Sequence, residues 1–199
     1  MGTIELLSPF VLVAYTMWAT PGPNNMMLVY SGANFGFRRT VPHILGIIFG
    51  TCLLNSLAVL GLKPLIDQWP QLMLVLKISG SVWLVIIGWK MANASNTQAD
   101  REQAKPMRFI PAALFQFANP KAITATLALV SLILVAIETD ASLMWLIIVI
   151  IPPLSLCSIM PWVLAGKAIR RFLSTDLRWK IFTRGTGLLT ASCALFLWI

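Results

Sequence analysis

The chain has 199 residues, 58% of them hydrophobic and 11% charged, and its mean hydropathy is +0.81. Soluble domains carry about 25% charged residues and bury only about 70% of their chain's surface, so a soluble fold is excluded and lipid must solvate much of this chain. The formal charge of +8 raises the question of a nucleic-acid partner, which the distribution of the charge answers below.

The opening residues MGTIEL hold Glu5 and no Lys or Arg, so they lack the basic n-region of a secretory signal. The first apolar segment is expected to stay as a span. A hydrocarbon core about 30 Å thick needs roughly 17–25 apolar residues per helix. Six stretches meet that need: Leu6–Phe35, Thr40–Leu62, Trp69–Met91, Phe109–Ala136, Leu143–Ala168 and Arg178–Ile199.

Basic residues fall between these stretches unevenly. Arg38 and Arg39 follow the first, Lys63 the second, and Lys90, Arg101, Lys105 and Arg108 the third. None follows the fourth, where Glu138 and Asp140 stand, while Lys167, Arg170, Arg171, Arg178 and Lys180 follow the fifth. Alternate loops thus carry eleven basic residues against one. By the positive-inside rule the basic loops are cytoplasmic and both termini lie on the other side. The charge is topological, and nucleic acid drops out.

The strongly polar stretch NASNTQADREQAKPMR, residues 93–108, divides two halves of equal length. The expected organisation is a three-helix repeat over 1–91, a cytoplasmic linker over 92–108 and a second repeat over 109–199. An odd number of spans per half makes the second half enter the membrane from the opposite side, as in an inverted repeat. At an offset of 99, Phe10 aligns with Phe109, Ala19 with Ala118 and Pro21 with Pro120. The expected fold is therefore all-α and integral to the membrane, with six transmembrane helices in two inverted repeats.

The first and fourth spans are interrupted at matching places, by TPGPNN from Thr20 and by FQFANPKAI from Phe115. Pro21 and Pro23 remove two backbone donors and push the residues before them out of the helical region. Counted at 1.5 Å per residue, the breaks lie about 18 Å and 16 Å into their spans, near the bilayer midplane. Unwound backbone at that depth must face protein or a water-filled cavity.

Chemically, the break residues Pro21, Gly22, Pro23 and Pro120 create two half-helix N-termini that favour an anion. One begins with Asn24, Asn25 and Met26. The other follows the N-cap Asn119, with Lys121, Ala122 and Ile123 presenting donors and Lys121 adding a charge. The carbonyls of Trp18–Ala19 and Phe117–Ala118 could take an ammonium group. Acceptors beside donors suit a zwitterion such as an α-amino acid. Gln116 lies about one turn before Lys121 and is placed on the same cavity.

The other polar groups read less specifically. His43 is expected at the interface beside Arg38 and Arg39, and Lys77 to snorkel outward. Gly46 and Gly50 form a GxxxG pair for close helix approach. Asn55 and Ser56 could serve as interhelical hydrogen bonds or as ligands. All seven carboxylates lie in loops or at span ends, so if transport is proton-coupled the titrating group on offer is Lys121. Cys52, Cys157 and Cys193 lie in apolar stretches without a CxxC pair, and no metal cluster or cofactor is expected.

TPGPNN, GFRRTVPHILGIIFG, KISGSVWLVIIGWK and FQFANPKAI together resemble the LysE/RhtB amino-acid exporters, through nearly the whole chain. The family's PGPN falls on Pro21, Gly22, Pro23 and Asn24, and its NPK on Asn119, Pro120 and Lys121. The resemblance implies a bacterial inner-membrane exporter of amino acids or their derivatives. The combination looks most like the cysteine/O-acetylserine exporters. Val82 and Trp83 depart from the Ala-Tyr of many members, which puts in doubt a substrate contact by that tyrosine.

The expected function is export of a neutral amino acid by alternating access, with no enzymatic activity. Asn24, Asn25, Asn119, Lys121 and Gln116 are the expected substrate-binding residues. Lipid is the expected surrounding, protons a candidate coupling ion and a homo-oligomer a candidate assembly. A passive facilitator or channel is the alternative. A membrane thiol-electron carrier is the remote one, since neither broken helix carries a cysteine.

Overall fold

The computed structural model describes residues 3–59, 70–94, 105–139 and 142–195, and among them it is all helical, with no strand. The expected loop at Lys63, Arg101 with most of the 92–108 linker, Asp140 and residues 196–199 of the last span lie outside these residues. So does the side chain of Lys77.

Helix α1 spans Thr3–Ala19 and α2 spans Pro23–Leu57, with Pro23 at its first turn, where the missing N–H costs nothing. At Gly36 the backbone of α2 turns to φ 72°, ψ 176°, a left-handed φ that glycine adopts freely. This residue divides α2 into two arms. Helix α3 spans Pro70–Ala92, α4 Phe109–Ala118 and α5 Pro120–Thr139. Helix α6 spans Leu143–Ile169, continues as a 3-10 turn at Arg170–Phe172, and is followed by α7 over Asp176–Ser192. Among the described residues, two helices are each long and apolar enough to cross a membrane: α2, and α6 with its 3-10 extension.

Small residues let the helices meet at backbone distance. A Cβ on Gly50 would lie 2.5 Å from the Ala113 carbonyl, and one on Gly46 would meet the carbonyl of Phe109. The expected GxxxG face therefore packs α2 on α4. Gly32 and Gly166 do the same between the first arm of α2 and α6, against the carbonyls of Val163 and Val29.

Apolar packing is uneven along the bundle. Leu7, Phe10 and Ala14 of α1 meet Leu129 and Ile133 of α5 and Leu143, Ile147 and Ile151 of α6 in one buried cluster. It occupies the half of the bundle where the chain starts. In the opposite half, Arg170 donates to the Ala33 carbonyl at 3.1 Å and lies over the Trp179 ring, whose Nε1 donates to the Ala94 carbonyl at 3.0 Å.

Candidate functional site

Both breaks adopt the extended backbone that a following proline demands: Gly22 at φ −176°, ψ 179° and Asn119 at φ −90°, ψ 112°. They face one another. Asn24 Nδ2 donates to Gln116 Oε1 at 2.8 Å, and Gln116 Nε2 also donates to the Ala112 carbonyl at 2.9 Å. The Lys121 ammonium donates to the Thr20 carbonyl. Its stem lies against Gly22, where an added Cβ would come 2.5 Å from Lys121 Cδ.

The carbonyls released at the first break are all engaged, which corrects the expectation that Trp18 and Ala19 hold theirs free for an ammonium group. Pro21 and Pro23 lack the N–H groups that would have bonded Met17 and Ala19. The Thr20 hydroxyl donates to the Met17 carbonyl at 2.9 Å and Trp162 Nε1 to that of Ala19 at 3.1 Å. Asn25 Nδ2 donates to the carbonyls of Trp18 at 3.1 Å and Thr20 at 2.6 Å. Buried backbone acceptors require such partners, and Asn25, only 2% exposed, is held to that task.

The two half-helix starts also differ. Asn119 Oδ1 accepts from the Lys121 amide at 3.1 Å, and the Asn119 carbonyl accepts from the Ile123 amide at 3.0 Å. Asn119 thus caps α5 and takes the Lys121 and Ile123 amides, against the expectation of free donors there, as the Gly22 carbonyl takes the Met26 amide at 2.9 Å. At α2 the cap is Gly22, which has no side chain to offer and makes no side-chain cap bond. The uncapped, anion-favouring terminus belongs to α2, at Asn24 and Asn25.

Around the breaks lies a small cavity of about 40 Å³, lined among others by Trp18, Asn24, Gln116, Asn119 and Lys121. That volume holds about three waters. Thr51 of α2 and Ser155 of α6 also line it, and sequence reasoning missed both. Their signals were present but faint: Thr51 follows the close-approach Gly50, and Ser155 stands two residues after the Pro152-Pro153 pair.

His43 is buried among the helices. It is 1% exposed, and neither ring nitrogen has a hydrogen-bond partner. The Gly36 turn folds the second arm of α2 back on the first, with Thr40 Oγ1 2.8 Å from Ser31 Oγ, and buries the turn that carries His43. Cys52, Cys157 and Cys193 are free. Among the described residues no group of three His, Cys, Asp or Glu side chains could hold a metal.

The family model for the LysE type translocator matches residues 15–199. Proteins named cysteine/O-acetylserine efflux protein in Escherichia coli (strain K12) and Shigella sonnei (strain Ss046) are 30% identical over 174 residues, 85% of this chain and 86% of theirs. That of Shigella flexneri is 30% identical over 171 residues, 83% of this chain and 85% of its own. No solved structure matches.

Proposed function

The chain belongs to the LysE type translocator family, and from that premise we propose that it exports a neutral amino acid or derivative across the bacterial inner membrane by alternating access. The observation that carries the reading is the meeting of two helix breaks at one small polar cavity, with Asn24 and Gln116 on one side and Lys121 on the other. The uncapped amides of Asn24 and Asn25, with the Asn24 side chain, receive the substrate carboxylate, and Lys121 pairs with it. Asn119 shapes the site by capping α5, and Gln116 orients Asn24. The prolines create the site without touching substrate. The names of the relatives make a small polar amino acid such as cysteine or O-acetylserine the first substrate to try.

The proposed architecture is six spans in two inverted repeats, 1–91 and 109–199, with both termini periplasmic. A two-fold axis relating each residue to one 99 positions later would bring equivalent residues face to face where the axis passes. Gly88 and Gly187 are such a pair: a Cβ on Gly88 would lie 2.5 Å from the Gly187 carbonyl, and one on Gly187 would meet the Gly88 carbonyl. Thr190 and Met91, also 99 apart, are joined by a hydroxyl-to-sulfur contact of 3.8 Å. Alternating access draws support from the uneven packing. The Leu7–Phe10–Ile147 cluster closes one half of the bundle, whereas a cavity of about 730 Å³ opens the other.

The test is counterflow of labelled cysteine, O-acetylserine, threonine, leucine and lysine in proteoliposomes. Selective exchange of a neutral amino acid, lost in Asn24→Ala, is the expected result; absence of exchange for all five would sink the reading. Uptake against a gradient separates a carrier from a facilitator, which only equilibrates its substrate. If protons couple, Lys121→Gln removes the response to a pH gradient.

A further inference from the structure

The cavity of about 730 Å³ lies between the first arm of α2, the later half of α3 and the start of α4. It shares no lining residue with the cavity at the breaks, yet it begins one turn beyond it. Asn24 lines the small cavity, and Met27, Ser31 and Asn34 line the large one; at spacings of three and four these share one helix face. The α3 wall is apolar, formed by Trp83, Ile86 and Ile87, while Lys90, Lys105 and Arg108 stand around the mouth. Among the described residues no carboxylate lines this cavity. His43 reaches the cavity from the second arm of α2 with both ring nitrogens buried and unpaired.

These features specify a ligand chemistry. A neutral imidazole presents one donor and one acceptor, and an α-amino acid head group supplies a carboxylate acceptor beside an ammonium donor. Lys90, Lys105 and Arg108 favour a carboxylate at the mouth of a cleft with low-dielectric walls. An indole and two isoleucines supply a surface for apolar bulk. The volume falls within the roughly 300–1,000 Å³ of pockets for drug-sized ligands, well beyond the needs of a three-carbon amino acid. We propose that this vestibule is a second ligand site, which takes an amino acid with a large apolar side chain: its head group at His43, its side chain on the Trp83 wall. The inference deepens the export reading and rests on it for the vestibule's place on the loading path. An anionic lipid shares the chemistry of a negative head on an apolar body, so the test must separate the two sources.

The test is equilibrium binding of labelled phenylalanine to the purified full-length protein in phosphatidylcholine nanodiscs, without transport. Saturable binding is expected, about tenfold weaker in the Lys90→Gln/Arg108→Gln double variant, which removes the positive potential that favours the carboxylate. Both residues are exposed, so folding is not at stake. Trp83→Ala also weakens binding, phenylalaninamide (no carboxylate) fails to compete, and 3-phenylpropionate (no amine) competes only weakly. Arg171→Gln, an exposed charge outside the vestibule, leaves binding unchanged. No saturable binding overturns the proposal, as does equal binding in the double variant. Loss of phenylalanine binding when phosphatidylglycerol is added to the discs assigns the cavity to lipid and overturns it too. The Asn24→Ala variant keeps the two readings apart, since it should retain phenylalanine binding while losing counterflow. Binding without counterflow in the wild type would defeat the export reading alone, and counterflow without vestibule binding would defeat this one alone.

Discussion

Asn24 and Gln116, 92 residues apart in the chain, pair through their side-chain amides, Nδ2 to Oε1 at 2.8 Å and Nε2 to Oδ1 at 3.4 Å. The pair ties the start of α2 to the last turn of α4, and so one broken span to the other. Gln116→Leu keeps the bulk and removes both bonds, leaving the Asn24 amide without its partner at a cost of about 1–3 kcal/mol. A lower melting temperature in detergent and weaker counterflow are expected together. Unchanged values of both would mean the pair is incidental.

Gly22→Ala separates function from stability. The backbone at Gly22 is extended and accepts any residue, and the new Cβ would strike only the flexible Lys121 side chain, 2.5 Å from Cδ and 3.3 Å from Nζ. The lysine can swing aside, so melting should move by less than about 0.5 kcal/mol, as for a substitution away from packed features. Counterflow should fall sharply, because the displaced ammonium no longer stands where it would pair with the substrate carboxylate. A large stability loss with normal transport per folded molecule would refute the steric argument.

The two asparagines of the first break should fail differently. Asn25→Ala strips the Trp18 and Thr20 carbonyls of a buried donor, and a stability loss of about 1–3 kcal/mol is expected. Asn24→Ala, at a half-buried position facing the cavity, leaves one acceptor, Gln116 Oε1, without its donor, against two for Asn25→Ala, and should lose transport with a smaller effect on melting. Melting curves and counterflow on both variants decide it; equal losses of stability would erase the distinction.

Gly187 and Gly185 form a matched control on α7. A methyl at Gly187 would meet the carbonyl of Gly88 and lie 2.7 Å from the Ala92 amide, whereas nothing lies within 4 Å of one at Gly185. Overpacking costs about 1–3 kcal/mol, so Gly187→Ala should melt earlier. Gly185→Ala should hold or gain about 0.5–1 kcal/mol, the usual difference between Ala and Gly inside a helix. A thermal melt of each variant reads the contrast directly.

Much of the fold could be read from residue order because its decisive features are local. Pro-Gly-Pro and Asn-Pro stop helices wherever they occur, so both breaks were legible, as was the close approach at Gly46 and Gly50. What escaped was everything settled by a partner distant in sequence. Trp162 supplies the donor for Ala19 from 143 residues away, and no spacing rule could have reserved that carbonyl. Thr51 and Ser155 enter the cavity through helix packing alone. The burial of His43 is of the same kind: its basic neighbours Arg38 and Arg39 are exposed, while the Gly36 turn and the packing of Thr40 on Ser31 draw the next turn inward.

The Thr20 hydroxyl, Asn25, Trp162 and Lys121 satisfy every carbonyl from Met17 to Thr20 from within the protein. A carrier working as proposed therefore leaves none of these acceptors stranded when no cargo is aboard, and its unladen form faces no desolvation penalty there on the return stroke. Such a molecule needs no cargo to complete the bonding at the first break.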